Sequence, residues 1–210
     1  MKMTWINVFV FLSAIVLVLL NTVTKGQLPK DEECADIPAV EKFDWHKIAG
    51  KWFIQERFGD ASHISCPELQ IDPVKEEDGT LDVYIGYLNK TSIEFNNHFY
   101  GVYSPISTDL GRGVFEAVSG PTKGLYLPYT VVDIDYQEYM LVYTCIPHQK
   151  RTGTNLEFVI IYSRKREKLT TEIRNRLSRL LDQYGVKANN FSSFDQSKET
   201  CETKTEKGEL

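Results

Sequence analysis

The sequence predicts an all-β protein of about eight antiparallel strands, closed as a sandwich or a barrel, with one α-helix packed outside. Two patterns lead there. Short β-patterned runs, separated by turn residues, follow one another from Trp52 to Ser163, and a single stretch of helical period follows them. The chain of 210 residues is 42% hydrophobic and 25% charged, which suits one soluble domain.

Residues 1–26 stand apart. Lys2 precedes an apolar run from Val8 to Leu20, and Thr24 and Gly26 occupy the −3 and −1 places of a cleavage site. The run is too short to cross ~30 Å of hydrocarbon comfortably, so a secretory signal peptide is expected rather than an uncleaved anchor. The mature domain is then 27–201, followed by a charged, disordered tail over 202–210. Loss of the leader removes Lys2 and Lys25 and no acid. The formal charge therefore falls from −5 to −7, with 22 bases against 29 acids. Such a chain is a poor partner for nucleic acid or an anionic membrane, and no membrane segment is expected after the leader.

Phe43–Gly50 reads as a helical turn leading into a first strand over Trp52–Phe58. Gly59–Ser65 reads as a loop, with a short strand after Cys66. Leu81–Tyr87 alternates with period two after the turn signal Glu77-Asp78-Gly79. Further runs cover Ile93–Tyr103, Gly113–Val118, Leu125–Asp133, Tyr139–Cys145 and Leu156–Ser163. Pro105, Gly111, Gly120-Pro121, Tyr136-Gln137-Glu138 and Arg151-Thr152-Gly153 punctuate them. The helix starts after Thr170 as N-cap. Ile173, Leu177, Leu180, Leu181 and Tyr184 form one apolar stripe, and Gly185 is its stop signal. The basic stretch Arg164–Lys168 reads as a solvated helix entrance.

Four cysteines, Cys34, Cys66, Cys145 and Cys201, imply two disulfides in an oxidising compartment, with three connectivities open. No C-x-x-C pair is present, so no zinc site is expected. Asn89-Lys90-Thr91 and Asn190-Phe191-Ser192 are glycosylation sequons, in keeping with secretion. His46, His63, His98 and His148 fall in loops or near strand ends at no metal-ligand spacing, and His63 and His98 lie within reach of an open end.

Three short motifs carry a resemblance. Gly50-Lys51-Trp52 opens the first strand. Asp135-Tyr136 sits in the turn between the sixth and seventh, with Ile134 in place of a threonine. Arg164 follows the strand Phe158-Val159-Ile160-Ile161-Tyr162. In this order and spacing the chain resembles the lipocalin family. Its segment Asp135–Cys145 is similar to apolipoprotein D and the arthropod bilin-binding and insecticyanin proteins. The resemblance implies an eight-stranded antiparallel up-and-down β-barrel with the C-terminal helix outside. It also implies the pairs Cys34–Cys145 and Cys66–Cys201, and a closed end formed by Gly50, Trp52 and Arg164, the guanidinium stacked on the indole.

The implied function is binding and transport of a small hydrophobic ligand (a tetrapyrrole, carotenoid or retinoid, sterol or fatty acid) in the barrel cavity. A pigment or lipid would be the bound group, and no metal or other cofactor is implied. Family register points Tyr129, Val131, Met140, Val142, Phe158 and Ile160 inward, with Phe115 and Ala117 on the fifth strand. Alternation adds Leu81, Val83 and Ile85. Glu56 shares the parity of Trp52, so it either enters the lumen to bond a ligand or sits at the rim.

Two other classes remain in view. Some lipocalins isomerise prostanoids through a free lumen cysteine, which the expected disulfides remove here, and no G-x-S-x-G, H-E-x-x-H or P-loop occurs. A secreted scavenger or protein-interaction module acting through loops is the other. Cell-surface or self-association partners are not legible.

Overall fold

Eight strands follow one another in chain order around a closed antiparallel sheet. The computed structural model describes residues 34–58, 64–90, 94–119, 123–146, 155–186 and 191–202. The expected leader, His63, His148, Asn190 and residues 203–210 lie outside them. A 3-10 helix, Trp45–Ile48, leads into β1 (Gly50–Phe58). Then come β2 (Ile64–Ile71), β3 (Leu81–Asn89), β4 (Glu94–Pro105), β5 (Arg112–Ala117), β6 (Tyr126–Asp135), β7 (Tyr139–Ile146) and β8 (Leu156–Ser163). Each pairs with the next, and β1 pairs with both β2 and β8, which closes the barrel and removes its free edges. The eight-stranded up-and-down architecture is therefore as expected. β2 begins at Ile64, inside the segment expected as a loop, because the strand is continuous through an irregularity between Ser65 and Glu68.

Alternation sorts the side chains into two apolar groups. On β7, Met140 and Val142 turn into the barrel while Leu141, Tyr143 and Cys145 turn out. The outer group meets α1 (Thr171–Gln183), whose stripe buries Leu177 and Leu181 against Leu141, Val159 and Ile161. Burying these five side chains contributes about 1.5–3 kcal/mol each before ordering entropy is subtracted. The helix starts as expected: the Thr170 side chain accepts from the Ile173 N–H. It ends at Gly185, whose φ of +78° lets Val186 N–H reach the Leu181 carbonyl.

Two C-terminal elements carried no sequence signal. β9 (Phe191–Ser193) and α2 (Lys198–Glu202) close a gap in the wall. The β1–β2 pairing ends at Phe53, and β9 takes up β1 from Glu56 to Phe58. Beyond it, buried Gln196 donates to the carbonyls of Ile54 (3.0 Å) and Pro67 (2.7 Å), bridging the two strands where they part. Glu202, expected to begin the tail, instead ends α2. The disulfides join Cys34 to Cys145 and Cys66 to Cys201, tying the N-terminal arm to β7 and α2 to β2.

Candidate functional site

One end of the barrel is shut by residues of the 3-10 helix and the first strand. Trp52 is fully buried, and its indole N–H donates to the Ile48 carbonyl at 2.7 Å. The Arg164 guanidinium lies 3.7 Å over the Trp52 ring. It donates to the carbonyls of Tyr136 (3.0 Å), Ala49 (3.1 Å), Lys51 (3.1 Å) and Lys47 (2.8 Å). One side chain thus gathers the 3-10 helix, β1 and the β6–β7 turn. Gly50 is needed beneath it: its φ is +101°, and a Cβ there would meet an Arg164 nitrogen at 3.3 Å. Tyr136 adds a further tie, its hydroxyl accepting from the Asp44 N–H at 2.7 Å. Arg166, expected to be solvated, instead lies over the Phe53 ring and bonds Glu68 and Gln196, so the basic stretch fastens the C-terminal wedge.

Above this floor the barrel is not filled. A cavity of about 160 Å³ is walled mainly by apolar and aromatic side chains. Of the residues expected to line it, Phe115, Tyr129, Val142, Phe158 and Ile160 do so. Leu81, Val83, Val131 and Met140 point inward but are packed into the core around Phe43, Trp45 and Trp52. They belong to the halves of their strands nearer the closed end, so the floor side chains cover them. Ala117 is buried in the same group, and its single methyl stops short of the cavity. Ile85 lines the cavity as its alternation predicts. His98, opposite Ile85 across β3–β4, meets the Tyr87 ring edge-on at 6.2 Å.

Sequence reasoning missed much of the polar wall. The Tyr103 ring lies tilted against Tyr129 with centroids 4.3 Å apart, and its hydroxyl bonds those of Tyr129 and Tyr162. Burial pushes the pKa of all three phenols well above the ordinary tyrosine value, so they stay protonated donors. Tyr103 and Tyr162 stand among β-rich residues with nothing to set them apart. Only strand register separates them from outward tyrosines such as Tyr84.

Glu56 is a correction. The β1–β8 register slips between Ile54 and Glu56, leaving Gln55 as an extra residue. Gln55 is buried and donates to the carbonyls of Lys165 and Arg166. One inserted residue inverts the parity beyond it. Glu56 therefore pairs with outward Ile161 and reaches Arg174 of α1, while Arg57 pairs with Ile160 and lines the cavity. Among the described residues, no group of three His, Cys, Asp or Glu side chains is placed to hold a metal.

The arrangement of a closed floor, an apolar cup and one flanking helix is the lipocalin fold, and solved structures share it. Insecticyanin from the tobacco hornworm Manduca sexta superposes with a TM-score of 0.61 at 19% identity, covering 80% of this chain and 89% of that one. Lobster apocrustacyanin A1 gives 0.59 at 14%, covering 81% and 94%. The tryptamine complex of the amine binding protein of Rhodnius prolixus gives 0.56 at 16%, covering 82% and 94%. No family model matches the sequence, and no curated protein does.

Proposed function

We propose that this chain is a secreted carrier that holds a small hydrophobic ligand inside its barrel. The observation that carries the reading is the cavity itself: about 160 Å³ left open above an otherwise packed floor. Native cores seldom tolerate such a void, and a cavity of ~150 Å³ is known to accept a benzene ring. A ligand of one or two rings fits within it, as does the end of a longer retinoid or fatty-acid chain. A tetrapyrrole or sterol must extend past it toward the open end. The lipocalin fold of Rhodnius prolixus that binds tryptamine supports the size class. Secretion rests on the leader-like residues 1–26, the two disulfides and the sequons at Asn89 and Asn190. No described helix is long and apolar enough to cross a membrane. All four cysteines are in disulfides, which withdraws the thiol that the enzyme reading requires.

Native mass spectrometry with an absorption spectrum, on protein from its natural source, tests the proposal. A stoichiometric small-molecule adduct is expected, lost on denaturation. Ligand-free protein that also binds no apolar probe overturns it. The scavenger reading draws on a different feature, the half-exposed Phe95 and Phe99 of β4 outside the barrel, with Phe99 beside Tyr84. Co-purification of a protein in place of a small molecule would favour it.

A further inference from the structure

We propose that the cavity selects an apolar ligand bearing an anionic head, a carboxylate above all, and that Arg57 is the residue that receives it. The inference rests on the carrier reading and names its ligand class. The bulge at Gln55 separates two adjacent charges: it sends Glu56 out to Arg174 and turns Arg57 toward the cavity, opposite lining residue Ile160. Among the described residues, no carboxylate lines the cavity and none pairs with Arg57. The chain carries a net charge of −5 and ion-pairs many of its surface bases, including Lys51, Lys75, Arg174 and Arg176. Among the described residues, Arg57 thus sets a guanidinium without a carboxylate partner beside an apolar space.

A half-buried cation without a partner is costly, and a ligand anion that reaches it recovers both the Coulomb term and a two-pronged hydrogen bond. The polar groups nearby agree in sign. The buried phenols of Tyr103, Tyr129 and Tyr162 stay protonated, so they bring no anion into the cavity to compete for Arg57. An ammonium ligand would instead meet a like charge and no carboxylate. The aromatic wall of Tyr103, Phe115 and Tyr129 suits a flat body.

Three ligands sharing one ring test the head group: indole-3-acetate, indole-3-acetamide and tryptamine, titrated calorimetrically into the purified full chain near neutral pH. The acetate is expected to bind about tenfold tighter than the acetamide, with tryptamine weakest. In Arg57→Gln the acetate falls to the level of the acetamide, and Arg57→Lys keeps part of the preference. Circular dichroism melts of both variants establish that the barrel is intact. Equal affinity of acetate and acetamide for the parent, or a preference unchanged in Arg57→Gln, overturns the charge assignment and leaves the carrier reading standing. No binding of any of the three to the parent overturns the carrier reading and the charge assignment with it.

Discussion

Arg174 holds both carboxylate oxygens of Glu56, at 2.6 and 3.0 Å, fastening α1 to β1 across the outside of the barrel. The pair exists because Gln55 bulges; without that residue Glu56 would face inward. Glu56→Gln is therefore expected to leave ligand affinity unchanged. Arg174 is 44% exposed at its side chain, so solvent screening limits the coupling to at most about 1 kcal/mol. A double-mutant cycle with Arg174→Ala in urea denaturation measures it. A clear loss of ligand binding in Glu56→Gln would mean that the carboxylate faces the cavity after all.

Arg164→Ala should act on stability and not on binding. It removes four hydrogen bonds to main-chain carbonyls and the Trp52 stack. Burial pulls its pKa below the ordinary arginine value, a sign of the desolvation those contacts offset. The expected loss is about 3 kcal/mol, or roughly 10 °C in Tm for a domain of this size. Arg164→Lys should restore little, since an ammonium cannot span four carbonyls. A variant that melts like the parent but fails to bind ligand would move Arg164 from the floor to the site.

Val142 and Leu141 are neighbours on β7 with opposite outlooks. Val142 lines the cavity, while Leu141 is buried under Leu177 and Leu181 of α1. Val142→Arg should weaken binding of an apolar ligand at least 100-fold, because it fills the cup and adds a charge; the long side chain can extend toward the open end, so the fold survives. Leu141→Arg has no such outlet and should detach the helix, at a cost of several kcal/mol. Ligand titration and thermal melts of both variants decide the register; normal affinity in Val142→Arg would invert it.

Alkaline titration should split the tyrosines into two classes. Burial raises Tyr103, Tyr129, Tyr162 and Tyr143, whereas unfolded tyrosines ionise near pH ~10. A raised folded pKa means that the folded state keeps protons the unfolded chain has lost. Stability is then constant below about pH 10 and falls as pH rises beyond it. Phenolate absorbance near 295 nm, followed with circular dichroism, should show a late class that ionises only as the barrel unfolds. A single ionisation near pH 10 with the fold intact would place these phenols in contact with water.

Much of the fold was legible because barrels write themselves in local patterns. The period-two runs located eight strands within a few residues, and the Ile173–Tyr184 stripe located the helix with both its caps. The motif residues Gly50, Trp52, Asp135, Tyr136 and Arg164 meet at one end although far apart in the chain. β9 and α2 were not legible. Phe191–Ser193 is three residues long and becomes a strand only because β2 leaves β1 there.

By itself the sequence determined the eight strands and the outer helix, since each follows from the spacing of apolar residues along a few turns or pleats. Its resemblance to lipocalin motifs implied the two cysteine pairs that the structure contains. Tertiary structure decided which inward residues meet empty space: the floor of Phe43, Trp45 and Trp52 covers Leu81, Val83, Val131 and Met140 and leaves Val142 and Ile160 bare. It also decided which charge faces the ligand. Alternation carries parity only while the ladder is unbroken, and the extra residue at Gln55 is visible only against the partner strand β8. There it exchanges Glu56 for Arg57 on the inner wall.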